Sequence, residues 1–168
     1  ATTIRWYSVH GKPPLTSDPT HPSTTVSRLT VSDLYKKYQQ HEPISMLTAV
    51  DYHSGMTVDQ AGVDMILVGD SLGMTALGYD STVPVTMNDM IHHCRAVHRG
   101  STRSFLVGDM PFGSYEFNED AVRNAIRFVK EGSMQAVKLE GTDKVPQIRG
   151  IVSAGIPVIG HIGLTPQA

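Results

Sequence analysis

Leu67-Val68-Gly69-Asp70, Leu106-Val107-Gly108-Asp109 and Ala136-Val137-Lys138-Leu139-Glu140 each carry a short apolar, β-like run onto a carboxylate. In a barrel of parallel strands the C-terminal strand ends open on one face, so acids far apart in sequence can meet there. Asp109 lies 39 residues after Asp70, and Glu140 lies 31 after Asp109. Each interval holds a strand, a helix and two loops. The three acids therefore define one candidate mouth.

The rest of the chain supplies the units this arrangement needs. Thr30-Val31-Ser32-Asp33 reads as a capping box opening a helix on which Val31, Leu34, Tyr35 and Tyr38 recur at helical spacing. A first strand is predicted over residues 44–50, a helix over 54–61 closed by Gly62, and a second strand over 65–68. Thr86-Met87-Asn88-Asp89 is a second capping box. Its helix carries Met87, Met90, Ile91, Cys94 and Val97 on one side and stops at Gly100. The third strand covers 105–107. Asn118 is the expected cap of the next helix, whose buried stripe is Val122, Ala125, Ile126 and Val129. A fourth strand over 136–139, a helix with Ile148, Ile151 and Val152, and a fifth strand over 157–161 follow.

Strands alternating with helices give a parallel sheet, either doubly wound or a (β/α)8 barrel. Val50-Asp51-Tyr52-His53-Ser54-Gly55 has no glycine-rich dinucleotide turn, and acids at successive strand ends favour the barrel. Five strands occupy roughly 130 of the 250 residues such a barrel usually takes. Residues 30–168 are accordingly read as the N-terminal part of a single α/β TIM barrel.

Composition sets further bounds. The 168 residues are 40% hydrophobic and 18% charged, with a formal net charge of −2. That make-up suits one globular domain. Lys and Arg are scattered singly, which gives no basic stripe for nucleic acid. No apolar run approaches the roughly 20 residues that span a bilayer. Cys94 stands alone, so no intrachain disulfide can form and a reducing compartment is expected. Residues 1–29 hold ten Ser and Thr, four Pro, three bases and the single acid Asp18. They read as a disordered leader or a transit-peptide remnant. The expected location is mitochondrial in a eukaryote and cytoplasmic otherwise.

Alternation along a strand turns Lys138 the same way as Glu140. Three oxygen donors, without cysteine or histidine at metal spacing, suit a hard cation such as Mg2+ that leaves positions for substrate oxygens. A neighbouring lysine could hold a carboxylate or carbonyl oxygen. Residues 73–85 form a connection longer than usual and a candidate lid. His161, at a strand end, could donate to an anionic oxygen. His92, His93 and His98 are expected to be solvated, and Cys94 to lie in the core.

Five motifs, Val68–Met74, Asp80–Thr86, Gly108–Phe112, Val137–Gly141 and Gly160–Gln167, together resemble the ketopantoate hydroxymethyltransferase family, in order over about residues 30 to 168. The resemblance implies a barrel of the phosphoenolpyruvate/pyruvate type that assembles into a homodecamer and serves pantothenate synthesis. A one-carbon unit would pass from 5,10-methylenetetrahydrofolate to 3-methyl-2-oxobutanoate, giving 2-dehydropantoate. By the same resemblance Asp70 and Asp109 are Mg2+ ligands, with Glu140 the third acidic metal position. Asp70, Ser71, Asp109 and Lys138 would bind the keto acid, and His161 is the active-site histidine. The family's base is a glutamate after the sixth strand, expected beyond Ala168. A Mg2+-dependent carbon–carbon lyase of the same superfamily, or an inactive truncated chain, are the rival readings.

Overall fold

The computed structural model describes residues 27–165 and Gln167. The leader expected at the N-terminus therefore lies, up to residue 26, outside the described residues. Five parallel strands form one sheet in the order β1 (Met46–Thr48), β2 (Met65–Val68), β3 (Phe105–Asp109), β4 (Ala136–Glu140) and β5 (Val158–His161). Each new strand joins the outer edge of the last. A doubly wound sheet reverses its order at a switch point; this one does not, and it follows the winding of a (β/α)8 barrel over five units.

The crossovers are α2 (Tyr52–Gln60) after β1, the single-turn α3 (Leu72–Thr75) and α4 (Met87–Gly100) after β2, α5 (Asn118–Lys130) after β3 and α6 (Val145–Ser153) after β4. Strand alternation divides the core in two. Ile66, Val68, Leu106, Val137 and Leu139 point outward under the helices, against Met90, Cys94, Val97, Phe128 and Ile151. Phe105, Val107 and Ala136 face the other way with Met65, Leu67 and Ile159, where Leu29 and Leu34 pack against them. Cys94 is core, as its place on the apolar side of α4 requires, and burial pushes its thiol up.

Both predicted capping boxes are present. Thr30 and Asp33 open α1 (Val31–Gln39), and Thr86 and Asp89 open α4. A third box, Asp51 with Ser54, starts α2 two residues before the predicted point and leaves β1 only three residues long. Among the described residues of α1, Leu34 packs against the core and Lys37 reaches the buried Asp64, while Tyr35 and Tyr38 are 57% and 70% exposed. The packed chain begins before residue 30, because Arg28 donates to the Ser101 and Ser104 carbonyls and the Leu29 amide to that of Arg103.

Three expectations need correcting. Asn118 does not cap α5; Phe117 takes the cap position, with no side-chain bond. The buried stripe of α5 is Ala121, Ala125 and Phe128, while Ile126 and Val129 are 39% and 38% exposed. Gly108 explains the rotation, since a Cβ there would stand 2.4 Å from the Phe128 ring. His93 is not simply solvated: its ring meets the Val50 carbonyl at 2.5 Å. The long connection after β2 starts inside α3 and is packed down. Val85 is buried against Gly73, and the Tyr79 amide donates to the Gly73 carbonyl.

Candidate active site

Parallel pairing places the chemistry. Register sets Asp109 beside Lys138 and Glu140 beside His161 at the C-terminal ends of β3, β4 and β5. Lys138 Nζ accordingly donates to Asp109 Oδ2 at 2.7 Å and to Glu140 Oε1 at 3.3 Å, while His161 Nδ1 lies 2.7 Å from the same Glu140 oxygen. Asp70 enters from the turn after β2. At Gly69, a Cβ would stand 3.2 Å from Ser71 Oγ and 3.8 Å from Asp109 Oδ2. The tight neighbour is Ser71 Oγ, so the bare backbone leaves room for that hydroxyl, while Asp109 lies at ordinary contact distance. Ser71 is exposed there at the start of α3.

The predicted residues thus share one rim, and the three acids are deeply buried: Asp109 is 2%, Asp70 5% and Glu140 5% exposed. They do not form a closed cage. Among the described residues, no group of three or more His, Cys, Asp or Glu side chains is drawn together as a metal site. Lys138 lies between Asp109 and Glu140, and Glu140 Oε1 is taken by Lys138 and His161. Asp109 Oδ1, by contrast, is buried without any hydrogen-bond partner. An orphan carboxylate oxygen beside a second carboxylate fits the oxygen donor set of a hard cation. Against Glu140 lies a cavity of about 340 Å³ whose lining includes Phe112, Tyr115, Lys144, Ile162 and Gln167, within the size range of small-ligand pockets.

The sequence model described as ketopantoate hydroxymethyltransferase matches residues 28–168. The chain belongs to this family. The 3-methyl-2-oxobutanoate hydroxymethyltransferase of Desulfotalea psychrophila is 59% identical over 142 residues, 83% of this chain and 51% of that protein. The protein of the same name from Alkaliphilus metalliredigens is 55% identical over 140 residues, 82% of this chain and 50% of its own length. The chain spans about half the length of the curated relatives it matches. Among solved structures, 2,3-dimethylmalate lyase, described as a PEP mutase/isocitrate lyase superfamily member, superposes with a TM-score of 0.61 at 18% identity, over 77% of this chain and 51% of that one. That likeness establishes the fold alone: a (β/α) barrel, seen here over five strands.

Electrostatics in the rim follow from burial. Burial lifts the Asp109 carboxyl to about 6, against the opposing pull of Lys138 and with Asp70 adding to the rise. It raises Asp70 as well, against the Gln167 hydrogen bond. For Lys138 burial works downward, but Asp109 and Glu140 outweigh it and hold the ammonium above its ordinary value. Two further residues of the rim, Tyr115 and Gln167, carry no chemical signal of their own in the sequence. Gln167 closes the last of the five motifs; Tyr115 stands six residues beyond a strand end, in a loop whose path the sequence does not dictate.

Proposed function

We propose that this rim is the metal and keto-acid side of a hydroxymethyltransferase site. There a one-carbon unit passes from 5,10-methylenetetrahydrofolate to 3-methyl-2-oxobutanoate, giving 2-dehydropantoate for pantothenate synthesis. The observation that carries the proposal is Asp109, buried at the end of β3 with one oxygen on Lys138 and the other unpartnered, and with the Asp70 charge close enough to raise its carboxyl. Family membership supports it independently.

Asp70 and Asp109 would hold a Mg2+ ion, with Glu140 the third acidic position beside them. When bound, such an ion supplies a Lewis acid that draws charge from the keto acid's carbonyl and acidifies the adjacent C–H. The chain's own groups do the positioning. Lys138, steadied between Asp109 and Glu140, offers an ammonium to the keto acid's oxygens, and the exposed Ser71 hydroxyl can donate to its carboxylate. His161 keeps Glu140 turned toward Lys138 through the 2.7 Å contact. The low-dielectric setting of these buried groups strengthens their hold on developing negative charge. In the balanced reaction the C-3 proton leaves to a base, the resulting carbon nucleophile attacks the folate-borne carbon, and water supplies the hydroxyl as tetrahydrofolate departs. That base is expected from the sixth unit of the barrel, and the assembly expected is a homodecamer.

The full-length protein, given the keto acid, Mg2+ and 5,10-methylenetetrahydrofolate, is expected to form 2-dehydropantoate, and its Asp109→Asn variant to lose this activity. Exchange of the C-3 proton without folate-dependent product would instead favour a lyase of the same superfamily. Undiminished turnover in the Asp109→Asn variant would overturn the assignment of the rim.

A further inference from the structure

Asp70 is held by a residue that comes 97 positions later in the chain. Gln167 Nε2 donates to Asp70 Oδ2 at 2.7 Å and to the Met110 carbonyl at 3.1 Å, while its Oε1 accepts from the Tyr115 hydroxyl at 2.5 Å. The Tyr115 oxygen in turn faces the Glu140 amide, which donates to it at 3.4 Å, and the Gln167 amide approaches Glu140 Oε2 at 3.5 Å. Both side chains are buried.

The direction of each bond in this chain is forced. The Glu140 amide can only donate, so the tyrosine oxygen accepts from it and turns its own proton to Gln167 Oε1. That fixes the carboxamide with its NH2 toward Asp70 and Met110. A flipped amide would set its oxygen against a carboxylate and a carbonyl, both acceptors, and would bring two donors against the tyrosine. The carboxylate of Asp70 therefore presents Oδ2 to the amide and keeps its second oxygen for another partner. Since Met110 follows Asp109 directly, the same amide also pins the backbone next to the other acid.

We infer that Gln167, oriented by Tyr115, is a positioning residue for the cation-binding pair: it sets which Asp70 oxygen faces the ion and ties that carboxylate to the end of β3. The inference rests on the reading of Asp70 and Asp109 as the cation holders. A residue that only glued the segment after β5 to the barrel would contribute to folding and leave cation affinity alone. Outer partners of metal ligands typically change affinity about 10- to 100-fold when removed.

The test uses the full-length protein and Mn2+ alone, with free Mn2+ read by electron paramagnetic resonance. Gln167→Met keeps the bulk and removes the amide; Tyr115→Phe keeps Gln167 and removes the proton that orients it. Both are expected to weaken Mn2+ binding, Gln167→Met about 10- to 100-fold and Tyr115→Phe by less. Activity should recover at saturating Mg2+ while the apparent Mg2+ requirement rises. Unchanged Mn2+ affinity in both variants overturns the inference, and should Gln167→Met fail to fold, Tyr115→Phe decides alone. Asp109→Asn is the control: if it binds Mn2+ as the wild type does, the cation reading itself has failed, and that failure is distinguishable from the loss of Gln167's role alone.

Discussion

Lys138 Nζ stands 2.7 Å from Asp109 Oδ2 because the two residues are register partners on adjacent parallel strands. The ion pair is thus a product of strand pairing and needs no loop to form it. Both side chains are largely shielded from water, which makes removing one partner costly. Lys138→Ala should lower stability by about 3–5 kcal/mol near neutral pH, measured by denaturant unfolding. The full-length variant should also lose keto-acid affinity more than folate affinity. Equal loss of both would mark the lysine as structural only.

A second ionic cluster sits at the opposite end of the strands, where Asp64 takes the Ser45 amide at 3.0 Å, the Ser45 hydroxyl at 2.9 Å and Lys37 Nζ at 2.9 Å. Burial would raise this carboxyl, but the Ser45 and Lys37 bonds outweigh it and hold it down at about 2. A depressed folded value stabilises fully above the ordinary carboxylate value, and the gain disappears as pH falls through about 2. The gain is about 2 kcal/mol. Asp64→Asn should therefore be less stable than wild type at pH 7, the gap narrowing from about pH 4 downward. A gap independent of pH over that window would show that the charge is not what matters.

The capping boxes separate local from global stability. Thr86→Ala removes the cap of α4, a helix with four residues buried in the core, and should cost about 1 kcal/mol in global unfolding. Thr30→Ala does the same to α1, which has no buried residue. Amide exchange should show α1 fraying with little change in the global transition.

Gly108 meets Phe128 so closely that an added methyl has no room. Gly108→Ala should destabilise by about 1–3 kcal/mol. Phe128→Leu, costly alone, should recover part of that loss in the double variant. Additive losses in a double-mutant cycle would place the clash elsewhere.

How much of this is legible in the sequence depends on range. Period-two alternation and the acids at the ends of β3 and β4 are local signals, and they put Asp109, Lys138 and Glu140 on one rim correctly. The caps at Thr30 and Thr86 are equally local. Hydrophobicity alone favours Ile126 and Val129 on the buried face of α5, whereas the side actually buried is chosen by a notch at Gly108, a residue of a neighbouring strand. The links among Asp70, Tyr115, Gln167 and Met110 join the ends of three connections; no spacing rule relates them. Nor does composition reveal that Lys138 would stand between the acids instead of beside an open trio.

Strand β4 has a consequence for how faithfully the protein can be made. Ala136, Lys138 and Glu140 face the interior of the sheet while Val137 and Leu139 lie under the helices. Slipping the strand by one residue would drive an ammonium and a carboxylate in among Phe128 and Ile151, at several kcal/mol for each ion. No chain can therefore be soundly folded yet carry its lysine on the wrong side. In this strand a mistake of chemistry and a mistake of folding are one mistake, and a chain that passes the cell's inspection of its shape has already been proofread for its reactive groups.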